Sequence, residues 1–274
     1  MASAMAWMRF ELQLVLMAMQ FLTRIPMPSL PDHRPGMLQH SVRYFPWVGA
    51  LVGAFGAALA CAAATRWSAP VAAAIGIGGT AWLTAAFHED GLADTADALL
   101  GAASRDKALA IMKDSRIGTY GAAALIVSFL MRVLLLAELL PLGWEIAAAA
   151  LMASHAAGRM VAVGLMASLP YARDGVEPPE TSAPVKAGGL ARDVQPWDAA
   201  MAACSGLLVL ALAAGTTKVP VAVLISVTLA LGVLLLGMHR WLRDRIAGYT
   251  GDTLGAAEQI GEVVVLLCFA GRWA

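Results

Sequence analysis

Six apolar stretches in this chain are long enough to cross a membrane, and they limit the folds that are open to it. A helix of about 20 residues spans the roughly 30 Å of hydrocarbon in a bilayer. Hydrophobic residues make up 59% of the 274 residues and charged residues only 14%, which is unlike a soluble domain. The stretches are Tyr44–Ala64, Val71–Phe87, Tyr120–Leu140, Glu145–Leu169, Ala199–Thr216 and Val219–Met238. We therefore predict an all-α, polytopic membrane bundle that forms a single domain over residues 1–274.

Two further apolar segments, Phe10–Leu22 and Ile260–Ala270, are short for a membrane span. Each is compatible with a re-entrant segment, an interfacial helix or a short span sheltered by its neighbours. The fold prediction is therefore six clear spans plus one or two short or re-entrant hydrophobic segments.

The distribution of basic residues indicates the orientation of the spans. Basic residues are concentrated in four longer connections, whereas the short connections between them contain only Arg66 and Lys218. Because loops rich in Lys and Arg stay inside, we expect a bacterial cytoplasmic (inner) membrane protein whose charged motifs all face the cytoplasm. The basic residues are Arg24, Arg34 and Arg43, then Arg105, Lys107, Lys113 and Arg116, then Arg173, Lys186 and Arg192, then Arg240, Arg243 and Arg245.

Four carboxylates occur within the nine residues Glu89–Asp97, directly after the second apolar stretch. Asp90, Asp94 and Asp97 are spaced i, i+4 and i+7, which places them on one face of a helix. Like charges at this spacing destabilise a helix unless a cation neutralises them. Since no Cys or His ligand set lies nearby, the oxygens favour Mg²⁺ or Mn²⁺ over zinc. We predict a metal site formed by these four carboxylates, with a solvated acidic helix end as the alternative.

A second motif, Asp114–Gly121, precedes the third apolar stretch. Its two glycines, Gly118 and Gly121, would allow the backbone to approach an anion closely. Arg116 would add a forked contact to a phosphate. An ordinary capped helix N-terminus is the alternative.

Two ionisable residues, His155 and Arg159, lie inside the stretch Glu145–Leu169. Ionisable groups at membrane depth are costly and usually face a polar cavity or a partner. Their i, i+4 spacing lets both point into one site, so we predict that they bind a ligand. Arg159 could instead extend its side chain to the membrane interface.

The segment Gly248–Glu262 is rich in glycine and contains Asp252, Glu258 and Glu262. A glycine-rich loop capped by Asp252 is one interpretation. We favour another, in which this segment and the first acidic motif face the same side of the membrane and form one metal-bound site.

Together these motifs resemble the cobalamin synthase family, the adenosylcobinamide-GDP ribazoletransferases. The resemblance implies an integral-membrane, Mg²⁺-dependent transferase that joins adenosylcobinamide-GDP to α-ribazole or its 5′-phosphate and releases GMP. Membrane lipid surrounds such a protein and nucleic acid has no part in the reaction, while the oligomeric state stays open and includes a homo-oligomer. Ala157 departs from the pattern, because an acidic residue is expected there. The matching stretches are Phe21–Pro28, Arg43–Gly53, Phe87–Gly101, Asp114–Gly121, His155–Arg159 and Gly248–Glu262.

The resemblance also implies roles for the motif residues. Glu89, Asp90, Asp94 and Asp97 would hold one or two Mg²⁺ ions at the pyrophosphate. The expected catalytic residues are Asp94, Asp97 and Arg116, with Asp97 as the base that deprotonates the ribose hydroxyl. The remaining predicted binding residues are His155 and Arg159, where Arg159 would balance phosphate charge, and Asp252 and Glu258, which would complete the metal or ribose contacts.

Two other functions remain open from the residues alone. CDP-alcohol phosphotransferases also place aspartates around a divalent metal, although the Gly and Asp spacings differ here. A membrane transporter would use intramembrane ionisable groups such as His155 and Arg159. A transporter would also spread polar residues through the span centres and repeat one half of the chain in the other, whereas the acids here crowd at span ends.

Overall fold

The computed structural model describes residues 2–28, 36–101, 104–173, 194–217 and 219–271, with side chains from Met5 onward. Within these ranges the chain is helical, and its one β-type contact is an isolated bridge between Tyr171 and Tyr249. The predicted all-α membrane bundle is therefore confirmed. The helices are α1 (Ala2–Leu22), α2 (Met37–Ser41), α3 (Phe45–Ala64), α4 (Ala69–Leu83), α5 (Phe87–Gly101), α6 (Arg105–Ile111), α7 (Thr119–Leu139), α8 (Trp144–Ser168), α9 (Pro196–Thr217), α10 (Val221–Ile246) and α11 (Gly251–Ala270).

Six helical stretches in the described part of the chain are long and apolar enough to cross a membrane. They are α3 with the short helical turns before it, α7 with the turn after it, and α8, α9, α10 and α11. Five of the six correspond to predicted spans, the sixth is α11, and α4 together with α5 forms a further candidate with a bend. Ile260–Ala270, predicted to be short, is the second half of α11, which begins at Gly251 and is long enough to span.

The predicted span Val71–Phe87 corresponds mainly to α4, which ends at Leu83 and meets α5 at an angle of 89°, so that the two helices together form a broken span or a re-entrant loop. Ala85 and Ala86 separate the two helices with φ values of 57° and 55°, a left-handed conformation that interrupts a right-handed helix. Composition does not reveal this break, since alanine is the best helix former. The break lets α5 leave the direction of α4 and cross α11.

The predicted segment Phe10–Leu22 belongs to α1, which is not among the candidate spans. Met5, Trp7, Met8 and Leu12 on α1 are exposed, which fits the interfacial alternative. Exposed apolar side chains also line α10, at Val221, Ile225, Leu229, Val233 and Leu236. This stripe of α10 is suited to contact with lipid.

Helix α8 lies at the centre of the bundle and packs against α3, α9 and α11. Small residues permit the close packing that holds helices together in lipid. A Cβ atom at Gly53 of α3 would collide with the carbonyl of Leu151 in α8. On the other side, a Cβ atom at Gly158 of α8 would lie 2.7 Å from the carbonyl oxygen of Glu258 in α11. These approaches fix α8 and α11 against each other around their ionisable residues.

Hydrogen bonds and an ion pair between the loops hold the predicted cytoplasmic ends of the helices together on one side of the bundle. Arg105, at the start of α6, donates from Nε to the carbonyl of Ile246 at the end of α10, at 3.0 Å. The amide of Tyr249 donates to Pro170 after α8, at 3.0 Å. Arg43, before α3, pairs with Asp198 at the start of α9, at 2.7 Å. Every one of these ends follows or precedes a loop that the basic residues place inside.

The orientation can be tested by labelling single cysteines in an otherwise cysteine-free chain. We expect Ser104→Cys to react with a membrane-impermeant thiol reagent applied from the cytoplasmic side, and Leu142→Cys, in the turn after α7, to react from the outside. Both positions are exposed. Labelling of Leu142→Cys from the cytoplasm alone would invert the assignment. Ser182, an equivalent position in the third basic loop, lies outside the described residues, as do Arg34, Lys186, Arg192 and Lys218.

Candidate active site

Four aspartates form an acidic cluster where α5 crosses the beginning of α11. Asp94 is within electrostatic range of Asp90, Asp97 and Asp252. The crossing is close because α5 carries a glycine at this point: a Cβ atom at Gly91 would lie 2.7 Å from the carbonyl oxygen of Asp252. The structure thus brings the two acidic motifs together through Asp252. We call Asp90, Asp94, Asp97 and Asp252 the acidic cluster.

The aspartates of the acidic cluster differ in their exposure and in the contacts that their carboxylate oxygens make. Asp90 is exposed, and Asp94 and Asp252 are partly exposed. Among the described residues, the carboxylate of Asp94 accepts no hydrogen bond. Asp252 lies beside Arg173, whose guanidinium nitrogen is 3.5 Å from Asp252 Oδ2. Arg173 thus adds a positive charge beside the acidic cluster. It could not be predicted as a site residue from the sequence, because it follows α8 outside any recognisable motif.

Asp97 is held by the backbone at the N-terminus of α7. Its Oδ2 accepts from the amide of Gly118 at 2.7 Å, and its Oδ1 accepts from the amide of Gly121 at 2.9 Å. A Cβ atom at either glycine would collide with this carboxylate. The sequence indicated a close approach of this backbone to an anion, and the anion in the structure is Asp97 itself.

Arg116 lies in the exposed connection before α7 and pairs with Asp114. Its Nε donates to Asp114 Oδ1 at 2.9 Å, and the side chain is 87% exposed. These hydrogen bonds hold the pKa of Asp114 down at about 2. Among the described residues, the hydrogen bonds of the Arg116 side chain all go to Asp114 rather than to the acidic cluster.

Behind the acidic cluster, seven ionisable side chains form a buried network. Each of them exposes 4% or less of its surface. Buried charges are stable only when they are paired and hydrogen-bonded. We call these residues the buried network: His88 and Glu89 of α5, Arg132 of α7, His155 and Arg159 of α8, and Glu258 and Glu262 of α11.

Arg132 joins three helices in this network. One terminal nitrogen of its guanidinium lies 3.0 Å from Glu262, and the other lies 3.3 Å from Glu89. Glu89 therefore points into the bundle and away from the exposed side of Asp90. Arg132 pairs with one carboxylate oxygen of Glu89, so the structure places Glu89 with the buried network, and its role as a metal ligand stays a prediction. Arg132 lies inside the predicted span Tyr120–Leu140, and a charged residue at that depth indicates a partner of opposite charge.

The two predicted residues of α8 also belong to the buried network. His155 Nδ1 lies 2.5 Å from Glu262, and Arg159 lies 2.5 Å from Glu258. His88 of α5 also contacts the carboxylate of Glu258. The structure thus separates Glu258, His155 and Arg159 from Asp252, although the sequence grouped them as binding residues.

Among the described residues, one set of three ligand atoms lies close enough together to hold a metal ion, and it belongs to the buried network. Atoms of His155, Glu258 and Glu262 lie within 4.8 Å of one another, but arginines already neutralise both glutamates. The acidic cluster offers only carboxylate oxygens, and its exposed Asp90 leaves room for a substrate. A hard cation such as Mg²⁺ therefore fits the acidic cluster better.

A cleft adjoins the buried network and approaches the acidic cluster. Its polar side chains are His88, Arg159 and Glu258, and the remainder is mainly apolar. It reaches Gly251, the residue before Asp252. The other lining residues are Phe21, Leu22, Phe45, Phe87, Ala162, Met166, Leu254 and Gly255.

Comparisons with known proteins extend over the whole bundle. Residues 14–270 match the sequence profile of the family described as cobalamin-5-phosphate synthase. A relative from Leptothrix cholodnii named adenosylcobinamide-GDP ribazoletransferase is 42% identical over 272 residues, covering 98% of this chain and 99% of the relative. Relatives of the same name from Shewanella amazonensis and Polaromonas naphthalenivorans are 38% and 40% identical, covering 98% and 93% of this chain and 99% and 96% of their own lengths. No solved structure matches the chain.

Proposed function

The chain belongs to the cobalamin-5-phosphate synthase family, and from this premise we propose that it is an adenosylcobinamide-GDP ribazoletransferase. In the proposed reaction a ribose hydroxyl of α-ribazole, or of its 5′-phosphate, attacks the phosphorus of adenosylcobinamide-GDP that bears the cobinamide. The bond to the GMP phosphate breaks, and GMP leaves. The observation that best supports this activity is the acidic cluster, which joins two distant motifs near a cleft.

We propose that Mg²⁺ would be held by Asp90 and Asp252. Magnesium in phosphoryl-transfer sites is usually bound by one or two carboxylates together with substrate phosphates, so two aspartates suffice. When bound, the ion supplies charge neutralisation at the pyrophosphate and at the attacking and leaving oxygens. Arg173, beside Asp252, supplies a further positive charge at the same point.

Asp94 is our proposed acceptor for the proton of the attacking hydroxyl. It lies between Asp90, Asp97 and Asp252, and its carboxylate is free of hydrogen bonds from the described residues. Asp97, the base expected from the sequence, already accepts two backbone hydrogen bonds. We assign Asp97 the role of holding the N-terminus of α7 against α5. A phosphate contact by Arg116 stays a prediction, and the exposed guanidinium has a terminal nitrogen that is not bonded to Asp114.

The buried network supports this site from behind. Arg132 holds Glu89, the residue before Asp90. Arg159 and His88 hold Glu258, six residues after Asp252 on α11. A helix carrying several like charges resists close packing. Pairing on the opposite face of α5 therefore keeps its aspartates in place against α11.

The test of the proposed function is release of GMP by the purified protein in detergent or liposomes. We expect GMP from adenosylcobinamide-GDP plus α-ribazole 5′-phosphate with Mg²⁺ present, and none when EDTA removes it. A CDP-activated alcohol serves as the control donor and should give no nucleotide release. GMP release that is equally fast in EDTA would contradict the assigned role of the acidic cluster. We further propose that the site faces the cytoplasm across a bacterial inner membrane, in agreement with the basic loops.

A double-mutant cycle tests whether the two acidic motifs serve one site. Residues that act as a unit in catalysis show strongly non-additive losses. We therefore expect Asp94→Asn combined with Asp252→Asn to be scarcely slower than the more damaging single variant. GMP release by the wild type, the two single variants and the double variant decides the point. Fully multiplicative losses would place Asp252 in a separate site.

A further inference from the structure

Two connections, one after α8 and one after α10, pair with each other directly before they reach the acidic cluster. The amide of Tyr249 donates to the carbonyl of Pro170 at 3.0 Å, and the amide of Ala172 donates to the carbonyl of Tyr249 at 2.8 Å. Arg173 follows this pairing on the first connection, and Asp252 follows it on the second. The pairing therefore helps to set the distance between Arg173 and Asp252, which are joined at 3.5 Å.

One side chain from a third connection, that of Arg105 at the start of α6, bonds to both of these connections. Its Nη2 donates to the carbonyl of Ala172 at 2.5 Å, and its Nε donates to the carbonyl of Ile246 at 3.0 Å. Ile246 is the last residue of α10, where carbonyl groups have no partner within the helix. Both acceptor residues are buried. The planar guanidinium thus holds two buried carbonyl groups at a fixed separation, which a single ammonium group does less well.

The pairing that Arg105 cross-links is short. It contains a single bridge, between Tyr171 and Tyr249, whose rings also pack edge to face at 5.8 Å. The two backbones are in close contact there, because a Cβ atom at Gly248 would collide with the carbonyl of Pro170. Two strands that pair only briefly have little stability of their own. A side chain that bonds to both of them therefore has a large influence on how they are held.

We propose that Arg105 is a positioning residue, which keeps Arg173 and Asp252 at the separation that binding of Mg²⁺ and the pyrophosphate requires. This assignment rests on the proposed function. The tendency of basic residues to stay inside accounts for a positive charge in this loop, and Lys107 on the same helix meets it equally well. The two hydrogen bonds to backbone carbonyls distinguish Arg105 from a basic residue that serves orientation alone.

Arg105→Gln tests the proposal through the dependence of GMP release on Mg²⁺. Replacing a residue that holds a metal ligand in place weakens metal binding about tenfold or more, so we expect the Mg²⁺ concentration for half-maximal activity to rise by that factor. The KM for adenosylcobinamide-GDP should rise with it, and the KM for α-ribazole 5′-phosphate should change less than about twofold. Lys107→Gln removes an exposed positive charge from the same helix and should behave like the wild type. An unchanged Mg²⁺ requirement in Arg105→Gln would overturn the proposal.

Two further variants distinguish positioning from a general effect of charge or folding. Arg105→Lys keeps the positive charge but lacks the forked donor, so it should recover only part of the lost activity. Full recovery would mean that charge alone matters. Because Arg105 acts through Arg173, adding Arg105→Gln to Arg173→Gln should slow turnover much less than Arg105→Gln slows the wild type. Fully multiplicative losses would overturn the assigned role.

Hydrogen exchange of the full-length protein in detergent tests the same contact without any turnover. The amides of Ala172 and Tyr249 are protected by the pairing. We expect peptides that contain them to exchange about fivefold faster or more in Arg105→Gln than in the wild type or Lys107→Gln, with the middle of α8 unchanged. Faster exchange throughout the bundle would show a general folding role and would contradict the proposal.

The two kinds of measurement also separate the two hypotheses. Unchanged exchange at Ala172 and Tyr249 in Arg105→Gln would refute the positioning role even if the wild type releases GMP normally. Absence of GMP release by the wild type would refute the proposed function, while the exchange measurement would still decide whether Arg105 holds the two connections together.

Discussion

Replacing Asp94 with asparagine is expected to lower turnover by about two orders of magnitude or more, because the amide cannot accept the proton of the attacking hydroxyl. The change removes one negative charge with little change in shape. It also relieves repulsion from Asp90, Asp97 and Asp252, so membrane insertion and thermal stability should be retained. GMP release at saturating substrate and Mg²⁺ measures the effect, and size-exclusion chromatography in detergent measures the fold.

Two neighbouring variants serve as controls for this prediction. Asp90→Asn should also lose activity, but part of the loss should be recovered at about tenfold higher Mg²⁺ or more, since a lost metal contact weakens metal binding by at least that factor. Asp97→Asn loses one of two backbone hydrogen bonds and should slow turnover only about tenfold. If Asp94→Asn kept near-normal turnover, or if extra Mg²⁺ restored it, Asp94 would not be the proton acceptor.

The positions of most of the long helices could be predicted from the lengths of the apolar stretches alone. Helices α3, α7, α8 and α9 begin and end within a few residues of the predicted spans, because the hydrocarbon thickness fixes their length. The break between α4 and α5 could not be predicted, since it depends on Ala85 and Ala86 adopting positive φ values. Only tertiary packing, such as the hydrogen bond from the amide of Arg24 to the carbonyl of Leu83, favours ending α4 there.

The site shows the same limit of sequence reasoning. Helical spacing correctly placed Asp90, Asp94 and Asp97 near one another, because periodicity depends only on the helix itself. It could not assign Glu89 to its partner, since Arg132 lies on another helix. Distinguishing a glutamate that faces the bundle from an aspartate that faces the substrate requires knowledge of which helices are neighbours. The same information separates Asp252, in the acidic cluster, from the buried Glu258 on the same helix.

We expect the buried network to make a large contribution to the stability of the protein. Replacing Arg132 with leucine tests this expectation. In this variant Glu89 loses its ion-pair partner, and Glu262 loses Arg132 but keeps His155. Both glutamates stay buried, since each exposes 4% of its surface or less. Removing one partner of a buried ion pair costs about 3–5 kcal/mol, because the remaining charge stays in a low-dielectric interior. We therefore expect a large loss of thermal stability in detergent, together with loss of activity, because Asp90 follows Glu89 directly on α5.

Two further variants determine whether charge, rather than side-chain volume, causes that loss. Adding Glu89→Gln to Arg132→Leu removes one of the uncompensated charges, so the double variant should be more stable than Arg132→Leu alone. Arg116→Leu makes the same substitution at an exposed pair and should change stability little. If the double variant were no more stable than Arg132→Leu, the loss would come from packing around the arginine. If Arg132→Leu itself were as stable as the wild type, the network would not support α5, and the aspartates would depend on Gly91 and Asp97 alone for their position against α11 and α7.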